Sequence, residues 1–160
     1  MFSVILIGIL VGFALPNGKP HAAVPAPIAA PAAAAAPADA PRETVLERRP
    51  NGHFSTVAEV NGEPIHFVVD TGADTVALTI EDARQARVPF DPNAFEVVAR
   101  GASGPVRGQV VTLNDIVLDG KRVDDIQAVV LEGLDVSLLG QNYLRHLDTV
   151  SISGDQMTLR

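Results

Sequence analysis

The chain contains no cysteine, which excludes disulfides and thiolate metal ligands without fixing a compartment. It is also poor in cations. Twelve Lys and Arg stand against 19 Asp and Glu, giving a formal net charge of −7, and the basic residues form no stripe. Nucleic acid is therefore not an expected partner. The opening stretch Met1–Leu15 has no charged side chain at all. It is shorter than the roughly 20 apolar residues of a membrane-spanning helix. Its length and the small residues Ala22 and Ala23 suit a secretory signal, but the basic start of such a signal is missing. Residues 1–18 are read as an apolar signal or anchor segment. A buried core helix is the plainer alternative, opposed by the linker that follows.

That linker spans residues 19–41 and is dominated by alanine and proline. Prolines interrupt every potential helix except the block Ala32–Ala36, so the segment is expected to be an extended, semi-rigid, protease-accessible tether. The 47% apolar content is inflated by this region. The folded part is expected over residues 42–160, enough chain for one core, and it carries nearly all of the net charge.

Within it, turn signals separate short strand-like runs. Arg42–Arg49 reads as a peripheral strand or short helix. His53–Val60 alternates as a half-buried strand does, Asn61-Gly62 is a hairpin signal, and Ile65–Val69 returns. Val76–Leu78 is a short strand. Thr79 is placed to cap a helix over Ile80–Ala86, with Glu81 and Asp82 in its first turn and Pro89 and Pro92 to end it. Phe95–Ala99 and Val106–Leu113 flank a small-residue tip, Gly101–Pro105. Asp115–Leu118 leads into the Asp119-Gly120 turn, and Val123–Leu131 is a strand pair or one long bent strand. Gln141–Leu147 reads as a short helix, and Thr149–Leu159 as a final hairpin. Many short strands, two short helices and no βαβ rhythm predict an all-β barrel or sandwich.

One stretch organises the rest. Phe67-Val68-Val69 runs straight into Asp70-Thr71-Gly72-Ala73-Asp74. A strand that ends in such a turn lifts Asp70 off a rigid buried element, where its carboxylate can be aimed for acid–base work. Thr71 can hydrogen-bond locally or to a neighbour, and Gly72 allows close approach of another backbone. An ordinary strand-to-turn junction would use the same residue types. About seventy residues on, Leu138-Leu139-Gly140 precedes a short helix, and the glycine-rich tip lies between the two motifs.

This ordered set resembles the retropepsin-like aspartic proteases over roughly Gly52–Arg160, and looks closest to single-domain bacterial members with a membrane-anchoring N-terminus. The resemblance implies a closed all-β barrel, half of a pepsin-like enzyme, with one or two short helices. Such a chain brings one catalytic aspartate, Asp70, and no second Asp-Thr-Gly is present. The implied enzyme is thus a homodimer that cleaves polypeptide with no metal or other cofactor. Thr71 and Gly72 match active-site supports, Ala73 and Asp74 match cleft-lining positions, and Gly101, Ala102, Ser103 and Gly104 match the flap. Leu138, Leu139 and Gly140 match the segment packed behind the active-site loop, and Asn142 falls where retroviral members carry Asn. The implied location is the inner membrane facing the periplasm, or the periplasm or exterior once residues 1–18 are removed.

The match is imperfect at one position. Retroviral members follow the apolar-apolar-Gly with an arginine that pairs with the acid equivalent to Asp74; here Gln141 stands there. Asp74 must pair elsewhere, with Arg145 a nearby candidate, or remain solvated. Among other chemistries, a metal site on His53, His66 and Asp70 fails on distance, since residues four apart on a strand are separated by roughly 13 Å. His146 reads as a surface histidine, and Glu47-Arg48-Arg49 and Lys121–Asp125 as solvated charge. The rival from another class is a non-catalytic peptide-binding module of the same fold. An intact Asp70-Thr71-Gly72 speaks against it, because a binder has no need to bring two like charges together.

Overall fold

The computed structural model describes residues 40–101 and 104–160, which form ten strands and two short α-helices. The segments expected as signal or anchor (1–18) and tether (19–41, apart from its last two residues) lie outside the described residues, as do Ala102 and Ser103 of the expected flap.

β1 (Thr44–Glu47) resolves the strand-or-helix alternative for Arg42–Arg49. β2 (Ser55–Val60) and β3 (Glu63–Val69) form a hairpin whose turn residues Asn61 and Gly62 both have positive φ, 51° and 81°. A type I′ turn requires that conformation. β4 (Val76–Leu78) is buried along its whole length, as a strand covered on both faces must be.

Thr79 accepts a hydrogen bond from Asp82 N–H and caps α1 (Ile80–Gln85) as predicted. The helix does not wait for Pro89 to end. Arg87 takes a left-handed φ of 52°, Val88 N–H donates to Ala83 O at 2.8 Å, and Arg87 N–H donates to Arg84 O at 3.0 Å. These are the paired bonds of a Schellman stop. A single 3₁₀ turn, Pro92–Ala94, precedes β5 (Glu96–Gly101).

β6 (Gly104–Leu118) is one 15-residue strand where two shorter runs were expected, and β7 (Lys121–Leu131) is likewise continuous. Asp119 and Gly120, at φ 49° and 77°, turn one into the other. The break expected near Asn114 is absent, and the register with β7 is the same on both sides of it. Asn61 Oδ1 accepts from the N–H groups of Asn114 and Asp115 there, so the turn side chain takes over ladder bonds and the strand runs on. β8 (Ser137–Leu139) leads into α2 (Gln141–Leu144), shorter than the helix expected to Leu147. β9 (Val150–Ser153) and β10 (Gln156–Leu159) are the final hairpin.

The strands close on themselves. β2, β3, β8, β4, β7 and β6 pair in that order, and β6 returns to β2 through Glu59 opposite Val117 and Val60 opposite Ile116. A closed ring leaves no free edge. Its interior is filled by Val60, Ile65, Phe67, Val76, Leu78, Leu113, Ile116, Val130 and Leu139, all buried. The expected closed all-β barrel with few short helices is the fold observed. β5 pairs only with β6, outside the ring, and β1, β10 and β9 make a separate three-stranded antiparallel sheet.

A polar cluster, in which Lys121 and Thr44 are buried and Asp119 is partly exposed, joins that sheet to the barrel. Lys121 Nζ donates to Thr44 Oγ1 at 2.8 Å and to the Arg42 carbonyl. Thr44 Oγ1 donates to Asp119 Oδ2 at 2.5 Å, and Arg42 Nη2 lies 3.6 Å from Asp119 Oδ1. Burial is the largest influence on Lys121 and lowers its pKa from the usual 10.5, against the pull of Asp119. Tyr143, fully buried, donates its hydroxyl to the Lys121 carbonyl at 2.8 Å, and burial raises its pKa well above the ordinary 10.0. Among the described residues no buried side-chain polar atom lacks a partner, so the interior charge is compensated locally.

Candidate active site

Asp70 follows directly on β3, and its placement is set by main-chain bonds on both sides. β3 runs parallel to β8 with Val68 opposite Leu138 and Val69 opposite Leu139. Asp70 N–H donates to Leu139 O at 3.1 Å, and Val69 N–H donates to Phe54 O at 2.9 Å. The turn then folds over the start of α2. Gln141 N–H donates to Ala73 O at 2.7 Å and Asn142 N–H to Asp74 O at 3.0 Å. Asn142 Oδ1 accepts from Val76 N–H at 2.9 Å while its Nδ2 donates to Gln127 O at 2.7 Å, tying the loop's exit to β7.

Gly140 is required by this clasp. A Cβ built on it would lie 2.5 Å from Thr75 O, 2.6 Å from Thr75 C and 2.9 Å from Ala73 O, so any side chain would force the two segments apart. Leu138, Leu139 and Gly140 all lie against the loop. Leu139 is buried and supplies the carbonyl for Asp70; Leu138 pairs with both Val68 and Ala77; Gly140 permits the contact.

Backbone groups of the loop are thus consumed, while its side chains are left outward. Asp70 and Ala73 are half-buried, and Thr71, Gly72 and Asp74 are exposed. Among the described residues the one hydrogen bond to the Asp70 carboxylate comes from Gly72 N–H to Oδ1, at 2.9 Å. That bond fixes the carboxylate plane and leaves acceptor capacity on Oδ2. A Cβ at position 72 would stand 3.3 Å from Asp70 Oδ1, a tight fit against the oxygen that glycine spares.

Gln141 has a role that its identity alone did not reveal. Its Nε2 donates to Thr71 O at 2.8 Å, pinning the Thr71–Gly72 peptide. The sequence signal is slight: an amide side chain one residue after a clasping glycine, able to donate to a nearby carbonyl. Among the described residues Asp74 has no ion pair, so Arg145 does not take the place of the missing arginine and Asp74 is solvated. The carbonyl of Phe54 that holds Val69 left no sequence signal, being main chain.

Of the four expected flap residues, Gly101 and Gly104 are described. They are paired across the end of the β5–β6 hairpin, with a register shift between Val97 and Ala99. Among the described residues no three His, Asp or Glu side chains gather as metal ligands.

The comparison with known proteins agrees with this architecture. Residues 56–146 match the family described as gag-polyprotein putative aspartyl protease, a span that takes in the Asp70 loop and the Gly140 clasp. An uncharacterised protein in the cobV 5′ region of Sinorhizobium sp is 37% identical over 123 residues, covering 74% of this chain and 52% of that protein. An uncharacterised protein of Rickettsia prowazekii is 36% identical over 120 residues, covering 73% and 51%. The chain therefore spans about half the length of the curated relatives it matches. The crystal structure of a retropepsin-like aspartic protease from Rickettsia conorii superposes with a TM-score of 0.64 at 35% identity, covering 74% of this chain and 90% of that one. A closed six-stranded barrel that delivers Asp-Thr-Gly onto a glycine clasp, with a family match across most of that barrel, leads to one conclusion: the chain belongs to the gag-polyprotein aspartyl protease family and has the retropepsin-like fold.

Proposed function

We propose that this protein is an aspartic endopeptidase whose catalytic pair is Asp70 of two copies of the chain. The observation that carries the reading is the state of Asp70: rigidly placed by the backbone bond to Leu139, half-exposed, and holding one hydrogen bond on its carboxylate. One carboxylate can accept a proton or donate one, but peptide hydrolysis needs both acts at once.

Two like carboxylates held close cannot both ionise readily, so the pair retains one proton. The ionised member takes a proton from water as the water oxygen bonds to the peptide carbon. The protonated member gives its proton to the carbonyl oxygen, forming a tetrahedral diol. As the diol collapses, one of its hydroxyls returns a proton to the dyad. The proton taken from water passes to the amide nitrogen, the C–N bond breaks, and the pair again holds one proton. Neither metal nor covalent intermediate enters. Apparent pKa values in such a site belong to the pair.

The other chain features serve this chemistry in the proposal. Thr71 and Gly72 stiffen the loop, Ala73 and Asp74 line the cleft, and the hairpin tip Gly101–Gly104 closes over extended polypeptide. Residues 1–18 and the tether hold the domain at a membrane on the periplasmic side, or release it there once cut. The test compares wild type with Asp70→Asn on an unstructured protein at mildly acidic pH. Wild type is expected to cleave and the variant not; equal cleavage by both would refute the assignment.

A further inference from the structure

We propose that Arg107 is a positioning residue for the β5–β6 hairpin, fastening its base to the core and to the turn that feeds the strand behind the Asp70 loop. The inference rests on the reading above, in which the hairpin tip closes over substrate, but the junction is identified by its own bonds.

The hairpin leaves the barrel at a definite level. β6 pairs with β7 from Leu118 as far as Gly108, which stands opposite Leu131. Beyond Gly108, residues 104–107 pair with β5 alone. The other arm changes at the same height. Val97 pairs with Arg107 and Ala99 with Val106, so Val98 is an extra residue, and a bulge of this kind bends a strand. Gly108 lets β6 and β7 meet closely here. A Cβ on it would overlap the Val130 carbonyl oxygen and stand 2.7 Å from Leu131 Cδ2. A bulge on one arm and the last barrel contact on the other mark a hinge.

Arg107 lies immediately beyond that contact and joins three segments. Its carbonyl accepts from Glu132 N–H at 2.9 Å, one residue past the end of β7. Its Nη1 donates to Glu132 Oε2 at 3.2 Å, and its Nη2 donates to Phe95 O at 2.9 Å. Phe95 is buried, so that carbonyl belongs to the fixed side of the hinge. Glu132 opens the turn that reaches β8 at Ser137, and β8 supplies the Leu139 carbonyl that holds Asp70. One guanidinium thus ties the hairpin both to the core and to the segment behind the catalytic loop.

Arginine suits this place because its planar fork aims two donors at fixed angles, where lysine has a single nitrogen. The ion pair alone would be weak and easily screened, since its side chains are 50% and 55% exposed. The effect therefore falls on where the hairpin sits, while the closed barrel keeps its own ladder bonds. Without the guanidinium the hairpin spends less time in the substrate-closing position, and apparent affinity falls by that fraction.

The test measures peptide cleavage and amide hydrogen exchange on the same full-length variants. Arg107→Ala is expected to raise KM about tenfold while kcat changes less than about threefold. Exchange in β5 and in residues 104–106 should quicken about tenfold, with β2, β3 and β8 as protected as in wild type. Arg107→Lys should fall between the two, because it keeps the charge and loses one arm of the fork. Adding Glu132→Ala to Arg107→Ala should cost nothing further, since the pair is already broken. Unchanged hairpin exchange in Arg107→Ala, or a loss of kcat with KM unmoved, would overturn the proposal. If the hairpin loosens as expected but wild type does not cleave, the junction stands and the protease reading fails.

Discussion

Asp70 directly follows β3 and Asp119 directly follows β6, so both leave the barrel at a strand-to-turn junction, yet their carboxylates meet different fates. Asp119 is absorbed by its own chain. Thr44 donates to one oxygen, Arg42 stands by the other, and Lys121 closes the cluster through Thr44. Asp70 receives a single N–H from Gly72 while the peptides around it are fastened from Leu139 to Asn142. A carboxylate whose valences are filled within one chain is a structural element. One left unfilled on a clamped backbone has its unused capacity aimed at something else, and preorganisation of this kind is what catalysis draws on.

Exchanging each carboxylate for an amide or a methyl breaks the comparison most sharply. Asp70→Asn should cut peptide hydrolysis by about 10²–10⁴-fold or more while leaving the unfolding midpoint nearly unchanged, as read by denaturant titration alongside the cleavage assay. Asp119→Ala should behave the other way. It strands Thr44 and Lys121 in a buried cluster and is expected to cost about 1–3 kcal/mol of stability, with activity per folded molecule retained. A stable, inactive Asp119→Ala would erase the distinction.

Gly140→Ala tests whether the clasp serves both ends. The added Cβ must displace Thr75 and Ala73 backbone atoms, so a loss of about 1–3 kcal/mol together with reduced kcat is expected. Gln141→Ala removes the bond to Thr71 O. It should lower kcat more than it raises KM, at a stability cost of about 0.5–1.5 kcal/mol.

The smallest effect concerns the Asp119 side alone. Burial lowers the Lys121 pKa below 10.5, so the unfolded chain binds more protons between the two values and stability rises with pH across that window. Burial raises Tyr143 above 10.0, so the unfolded chain releases its proton first and stability falls as pH climbs past about 10. Lys121→Met should flatten the rise and Tyr143→Phe the fall, in thermal melts taken from pH 7 to 11.

Much of this was legible from residue types because the local chemistry is strong. Asn61-Gly62 and Asp119-Gly120 specified their hairpins through positive φ, Thr79 its helix start, and Asp70-Thr71-Gly72 with Leu138-Leu139-Gly140 the loop and its backing. What escaped depends on partners distant in sequence. The Schellman stop places Arg87 where glycine is usual, and Asn61 supports β6 at Asn114 from 53 residues away. Gln141 drew notice as a departure from the retroviral pattern, but the carbonyl it binds is 70 positions upstream. Lys121 reads as solvated charge within Lys121–Asp125, yet it is buried against Thr44, because its burial follows from how β1 docks, which no local pattern encodes.

The central claim is that Asp70 is half of a catalytic site. It is tested most directly by titrating wild type with Asp70→Asn at constant total protein, after equilibration, and measuring cleavage of an unstructured substrate. If each site needs one Asp70 from each copy, activity follows the square of the wild-type fraction, because mixed dimers are silent. Activity that declines in simple proportion to the wild-type fraction would mean that one chain suffices, and would contradict the account.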